Sequence, residues 1–245
     1  MERIIKKIFI TAIIRLETGL HIGDSKETVE IGGVDNPIIK RKDTKEPYLP
    51  GSSIKGKVRC LLEQVRGENL DGSSKNNGKI VANLFGGSEN RQKGLPNTPS
   101  KIIVRDAYLT QDWAIKLAKF TDNLFTEVKF ENTIDRIKGV ASNPRQQERI
   151  PAGAEFELNF ILNIWEGASF SETDYVKTFL DGLELLENDY LGGSGTRGYG
   201  QISFIRLEKF EKEYQLEDSK IAIKKTSEVT RKSLTEFKEE IFSQP

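Results

Sequence analysis

The stretch "LGGSGTRGYGQISF", residues 191–204, decides how this chain is read. Gly192, Gly193, Gly195, Gly198 and Gly200 surround a single basic residue, Arg197. Gly193, Gly195 and Gly198 spell a literal G-x-G-x-x-G, which raises the possibility of a dinucleotide cradle. Such a cradle needs a strand before it and a helix after it, so that a pyrophosphate meets the helix N-terminus. Here the order is reversed. Val176, Phe179, Leu180 and Leu183 form a helical stripe over 172–188, with Ser171 and Asp174 as an approximate capping box. A strand pattern follows at 201–207. The nucleotide-cofactor reading fails on context.

A second reading fits better. "RGYGQISF" follows the RRM strand signature at Arg197, Gly198, Tyr199, Gly200 and Phe204, with Ile202 in place of valine. Gln201 stands where a base-stacking aromatic is usual. Glycines let an RNA backbone approach closely, and Arg197 can meet a phosphate. The alternative use of the same glycines is a tight turn into a strand.

Outward from this loop, the chain alternates strands and helices. Ile8, Ile10, Ala12, Ile14 and Leu16 share one face of a strand over 8–16. Ile54, Val58, Leu61, Leu62 and Val65 make an amphipathic helix from Ser52 to Val65, with Ser52 or Ser53 available as N-cap. Residues 101–110 and 154–164 read as strands, the second carrying Phe156, Leu158, Phe160, Leu162 and Ile164 on one face. The polar, glycine-rich run 66–79 reads as a mobile insertion. Beyond about 211 the chain is charged and helix-prone, a peripheral tail. This order suits an α+β sheet of the ferredoxin or RRM-like kind rather than a doubly wound one.

Composition narrows the chemistry. The 245 residues suffice for one large domain, and 37 basic residues balance 37 acidic ones. Zero net charge argues against bulk polyanion coating but leaves room for a local basic face. Cys60 is the only cysteine and His21 the only histidine. Disulfides, iron–sulfur clusters and Cys/His zinc sites are therefore excluded. Lys6, Lys7 and Arg15 interrupt the apolar start, so neither a signal sequence nor a membrane span is expected there. A soluble, cytoplasmic protein with no membrane attachment is the expectation.

Three further features bear on function. "GSSIKGKV" (51–58) falls one residue short of a Walker A motif, with Val58 where the magnesium-binding hydroxyl belongs, so it is no P-loop. On the same helix Lys55, Arg59 and Arg66 lie within about 40° of one another at roughly 100° per residue. With Ser52, Ser53 and the helix N-terminus they could hold a nucleic-acid backbone; a solvated face is the plainer reading. "GGVDNP" (32–37) places Asp35 between two glycines and Asn-Pro, in a shaped loop of the kind that carries function. Turn chemistry is the plainer reading of Asp35 too.

Together these pieces resemble the RAMP superfamily of CRISPR proteins. Within it the chain is most similar to the repeated backbone subunits of type III-A (Csm) effector complexes. The resemblance rests on "TGLHIG" (18–23), "IGGVDNPIIK" (31–40), "YLPGSSIKGKVR" (48–59), "TEVKFENTIDRIKGVASNPRQQERIPAGAEF" (126–156) and the glycine loop. It implies an RRM-like RAMP domain over 1–210 with two insertions, a flexible one at 67–100 and a β-hairpin thumb near 132–150. Residues 211–245 lie outside it.

The resemblance further implies a subunit that polymerises along a CRISPR guide RNA and cuts complementary target RNA at regular intervals. Asp35 would be the catalytic residue, with a divalent metal, Mg2+ or Mn2+, that it binds or works beside. Such a carboxylate can take a proton from an attacking 2′-hydroxyl or hold the ion that stabilises the phosphorane. RNA contacts are expected at His21, Ser52, Ser53, Lys55, Arg59, Arg136, Arg145, Gly195, Arg197, Gly198 and Tyr199. Expected partners are guide and target RNA, copies of the chain itself, a large Cas10-type subunit, a small subunit and terminal RAMP subunits. Asp106, Glu127 and Glu131 match acidic positions of the family, although pairing with arginines explains them as simply. Three alternatives stay open: a guide-holding scaffold that does not cut, a backbone subunit of a type III-B complex, and a histidine-based RNA-processing enzyme that relies on His21.

Overall fold

The computed structural model of the chain describes residues 3–24, 34–67, 80–87, 99–121, 123–217, 220–231 and 233–243. Its core grows from strand β1, Ile4–Leu16. Ile8, Ile10, Ile14 and Leu16 are fully buried, as the alternation of a strand packed on one face requires. β1 pairs antiparallel with β7 (Glu155–Trp165), setting Ile8 opposite Leu162 and Ile10 opposite Phe160. On its other side β1 pairs with β8 (Ile202–Glu217), with Ile14 opposite Phe204. Helices α1 (Gly51–Arg66) and α4 (Glu172–Glu187) contribute Ile54, Val58 and Leu62, and Phe179 and Leu183, to the same core.

The full sheet runs β2 (Tyr48–Leu49), β4 (Ala107–Leu109), β7, β1, β8, β9 (Lys220–Arg231), and β3 (Ile102–Val104) also pairs with β7. Without the additions at the two edges, its order is second, third, first, fourth strand, with α1 and α4 as crossovers. That is the ferredoxin-like arrangement expected from the sequence. Helix α3 (Gln111–Phe120) and a separate hairpin, β5 (Glu127–Ile134) with β6 (Ala141–Arg149), are inserted between β4 and β7.

α4 begins where its sequence says it should. The Ser171 side chain accepts the Asp174 backbone N–H at 3.1 Å, and Asp174 accepts the Ser171 N–H at 3.1 Å. Replacing Ser171 with alanine leaves a helix-end amide without its partner and is expected to cost about 1 kcal/mol, read as a lower urea midpoint at unchanged slope.

Several boundaries differ from the sequence reading. α1 starts at Gly51 with Pro50 as N-cap, so Ser52 and Ser53 lie inside its first turn and do not cap it. The strand expected over 101–110 is broken at Arg105–Asp106, because Asp106 turns to accept the Gly51 N–H at 2.8 Å and so caps α1 from outside the helix. Most of the 67–100 insertion lies outside the described residues. Within it Ile80–Phe85 forms helix α2, with Val81 and Leu84 fully buried, so this part belongs to the core. The hairpin begins at Glu127, five residues before the expected position.

The largest difference is at the C-terminus. β8 continues to Glu217 and pairs antiparallel with β9, and among the described residues beyond it only Leu234–Ser243 (α5) is helical. The charged residues that suggested a helix find partners across the sheet. Glu211 pairs with Lys6 at 3.3 Å and Lys209 at 2.6 Å, while Phe210 stacks on Phe9 with ring centroids 4.5 Å apart. α5 then packs Leu234 and Phe237 into the core. Among the described residues, no helix is long and apolar enough to cross a membrane.

Candidate nucleic-acid interface

Three segments far apart in sequence meet at the base of the β5–β6 hairpin. After Leu16 the chain leaves the sheet, and Leu20 pairs with Ile150 through two backbone hydrogen bonds of 3.0 and 2.8 Å. This places His21 beside β6. Its Nδ1 lies 2.7 Å from the Glu148 carbonyl oxygen. A carbonyl only accepts, so Nδ1 carries the proton, and in the neutral ring Nε2 is left as an acceptor. On the other side of the same strip, the Gly193 N–H donates to the His21 carbonyl at 2.8 Å and the Gly200 N–H to that of Gly19 at 3.0 Å. Residues 19–21 thus join the glycine loop to the hairpin.

The Asp35 loop is held against the outer side of β6. Asp35 is exposed, and its Oδ2 accepts the Gln146 backbone N–H at 3.0 Å. Asn36 pairs with Gln147 in a parallel bridge and accepts the Glu148 N–H at 3.1 Å. Behind it the buried Glu148 carboxylate accepts the Ile38 N–H at 3.0 Å and the Thr126 hydroxyl at 2.6 Å, and pairs with Lys40. Nothing in the sequence singles out Glu148. It is one polar residue in the run "PRQQER", and its partners lie more than twenty positions away.

Burial alone would raise the Glu148 pKa, but Lys40, Thr126 and the Ile38 amide outweigh it and hold the carboxyl below its ordinary range. A group whose folded pKa is depressed stabilises the fold fully above its unfolded pKa and loses that contribution as pH falls through the folded value. Glu148→Gln is therefore expected to lower stability by about 2 kcal/mol at neutral pH. The difference from wild type should shrink as the solution is acidified below the ordinary carboxylate range. Urea denaturation of both proteins at a series of pH values measures it.

The glycine loop is a turn and not a strand. Gly195–Arg197 forms one 3-10 turn, and regular pairing starts only at Ile202. Arg197 and Gly198 are exposed. Gly195 lies against the Tyr190 ring, too close for any side chain. Tyr199, expected as an RNA contact, is 1 % exposed, with Lys129 Nζ at 4.6 Å and Arg149 Cζ at 5.2 Å from its centroid, so its ring is covered within the chain. Its hydroxyl makes no well-formed hydrogen bond among the described residues. Burial, then the nearby Glu131 carboxylate, pushes its pKa up to about 12.

The basic row on α1 is likewise committed internally. Lys55 donates to the Ser100 hydroxyl at 2.7 Å, and Arg59 holds Glu63 at 2.8 Å and the Gly86 carbonyl at 2.9 Å. Burial and then Arg59 lower the Lys55 pKa. Arg66 reaches Thr178 of α4 at 3.4 Å. These three side chains brace α1 through partners within the chain, so an RNA contact at Lys55 or Arg59 would have to share or displace those partners. Ser52, exposed in the first turn, remains accessible, and Ser53 is half-buried.

Arg136 is exposed at the hairpin tip, and Arg145 is half-buried at its base, bonded to Glu131 at 3.1 Å. Glu127 pairs with Arg149 in the same way. The acidic positions are thus accounted for by arginine pairing and, at Asp106, by capping α1. Among the described residues, no three His, Cys, Asp or Glu side chains gather as a metal cage. What this loop offers a divalent ion is the exposed Asp35 carboxylate, one oxygen of which is engaged. That donor set fits an ion completed by substrate phosphate oxygens and water, as Mg2+ commonly is.

Comparisons with known proteins agree with one another. The pattern of the RAMP superfamily matches residues 13–203. The chain is 40% identical over 250 residues to the CRISPR system Cms endoribonuclease Csm3 of Methanocaldococcus jannaschii, covering 96% of this chain and 93% of that protein. It is 44% identical over 201 residues to the protein of the same name from Streptococcus thermophilus, covering 82% and 88%. Among solved structures, it superposes on a chain of the Csm3–Csm4 subcomplex of the type III-A CRISPR-Cas interference complex. There the TM-score is 0.60 and the identity 28%, over 98% of this chain and 97% of that one.

Proposed function

The chain belongs to the RAMP superfamily, within its Csm3 family, and from this we propose that it is the backbone subunit of a type III-A CRISPR effector that cuts guide-complementary RNA at Asp35. The observation that carries the catalytic assignment is geometric. Asp35 is exposed beside the hairpin base, one carboxylate oxygen fixed by the Gln146 N–H and the other without a partner among the described residues. An aspartate held by backbone and open to solvent is oriented without being consumed by an ion pair.

In the reaction, a 2′-hydroxyl of the target loses its proton as it attacks the adjacent phosphorus, forming a 2′,3′-cyclic phosphate, and the 5′-oxygen leaves and takes a proton from water. The Asp35 carboxylate either receives the hydroxyl proton itself or would hold the ion while water receives that proton. The backbone hydrogen bond from Gln146 keeps that carboxylate turned to one side throughout. A divalent metal, Mg2+ or Mn2+, would be held by Asp35 and by the RNA and would supply stabilisation of phosphorane charge. Guide RNA lies along Arg197, Gly198 and the 19–21 strip. Arg136 and the exposed Ile134, Ile137 and Val140 at the hairpin tip meet the guide–target duplex. Sequence is read by base pairing, while the protein holds backbone and shape. Copies of the chain follow one another along the guide in the cytoplasm, next to Cas10-type, small and terminal RAMP subunits.

A scaffold that holds guide without cutting is the second reading. One observation favours it: the Asp35 bond to Gln146 is also what a purely loop-forming aspartate makes. The two readings separate in one experiment. The assembled complex is given guide-complementary or scrambled RNA, with Mg2+ and after chelation. Metal-dependent cutting of the complementary strand alone is expected; binding without cutting in any metal leaves the scaffold.

A further inference from the structure

The β5–β6 register sets Glu127 opposite Arg149, Lys129 opposite Gln147 and Glu131 opposite Arg145. These six side chains share one face of the hairpin, and the buried Tyr199 ring lies against it. One carboxylate, Glu131, serves most of the donors there. Arg145 reaches it at 3.1 Å and Lys129 at 3.8 Å, and the charge of Arg197 from the glycine loop acts on it too. Yet the cluster is not satisfied. Arg145 Nε and Gln147 Oε1 are buried without a hydrogen-bond partner among the described residues, and the Tyr199 hydroxyl has only a loose approach to the Glu131 carboxylate. Buried polar groups are almost always paired, so two orphans beside a poorly served hydroxyl on one small face point to a missing group.

The chemistry of that group can be read from these atoms. Arg145 Nε and the Tyr199 hydroxyl donate, and Gln147 Oε1 accepts. A phosphate offers more acceptor positions than a carboxylate and matches the guanidinium fork. A ribose 2′-hydroxyl donates as well as accepts, which meets the need of Gln147 Oε1. Arg145 and Lys129 keep 38% and 40% of their side chains exposed, so the cluster can be approached from solvent.

We propose that Glu131 holds the place of an RNA ribose-phosphate group: incoming RNA displaces its carboxylate from Arg145 and Lys129 and occupies the face between the hairpin and the glycine loop. This rests on the chain binding RNA as argued above. It gives Glu131 a role opposite in sign to that of an ordinary binding residue, because the carboxylate competes with the ligand.

The test uses the purified full-length chain and a mixed-sequence single-stranded RNA, with DNA of the same sequence beside it. Glu131→Gln is expected to tighten RNA binding about three- to tenfold and to steepen its salt dependence, as one more effective cation contacts phosphate. DNA, lacking the 2′-hydroxyl, gains less. Adding Arg145→Gln removes the gain. Glu127→Gln, whose carboxylate pairs with Arg149, gives none. Glu131→Asp shortens the competing carboxylate and gives a smaller gain, and it serves if the glutamine variant does not fold. Repeating the measurement with complementary RNA and guide-loaded protein tells which strand occupies the face; a gain in either arm supports the site. Unchanged or weaker binding in both arms, or an equal gain from Glu127→Gln, overturns it while leaving the proposed function intact. Failure of the wild type to bind RNA removes the proposed function itself.

Discussion

Gly200→Ala is expected to destabilise the protein by about 3 kcal/mol, combining backbone strain with a steric clash. Gly200 has φ +75, in the left-handed region that side chains rarely adopt. A Cβ there would run into the Leu191 carbonyl oxygen, with Leu191 N at 3.1 Å behind it. Neither chain can step aside easily. Gly200 donates to the Gly19 carbonyl and accepts from the Leu191 N–H at 2.9 Å, so both neighbours are held by the bonds that close the loop. Gly198 supplies the control. Its φ is +86, but nothing lies within 4 Å of where its Cβ would stand, so Gly198→Ala carries strain alone, about 1 kcal/mol. Urea denaturation separates the two. Equal, small losses would mean that the crossing of 191 and 200 is not fixed as described.

Asp35→Ala is expected to reduce cutting of guide-complementary RNA by about 10²- to 10⁴-fold, the range for removing a general base. Binding of the same RNA should change little, because among the described residues the Asp35 side chain is held by one backbone amide and no ion pair. Stability should change by less than about 1 kcal/mol, as for an exposed residue away from the core. Asp35→Asn sharpens the test. Its amide oxygen can still accept from Gln146, so the loop keeps its shape while the charge is lost. Loss of cutting in both variants assigns the charge to the reaction. Cutting retained in the asparagine variant would reduce Asp35 to a loop-shaping residue.

Local signals were legible in the sequence. The alternation of Phe156, Leu158 and Phe160, and the Ser171–Asp174 box, each concern residues a few positions apart, and the structure has them as read. What depended on distant partners was not legible. Tyr199 was read as an RNA contact, whereas Lys129 and Arg149 cover its ring from the hairpin. Lys55 and Arg59 looked free because Ser100 and Gly86 are 45 and 27 residues away. The chain beyond about 211 looked helix-prone because of its charges, whereas here Glu211 answers Lys6 across two strands. The position of Asp35 came from the family resemblance. Its placement on β6, and the role of Glu148 in keeping it there, needed the fold.

The most direct measurement maps the product ends. If each copy holds one segment of guide and cuts beside its own hairpin, the assembled complex should release fragments of guide-complementary RNA whose ends are evenly spaced. Complexes assembled with a share of Asp35→Ala copies should lose individual cuts without moving the others. A single cut, irregular ends, or cuts that shift together when some copies are replaced would contradict a subunit that carries its own catalytic aspartate.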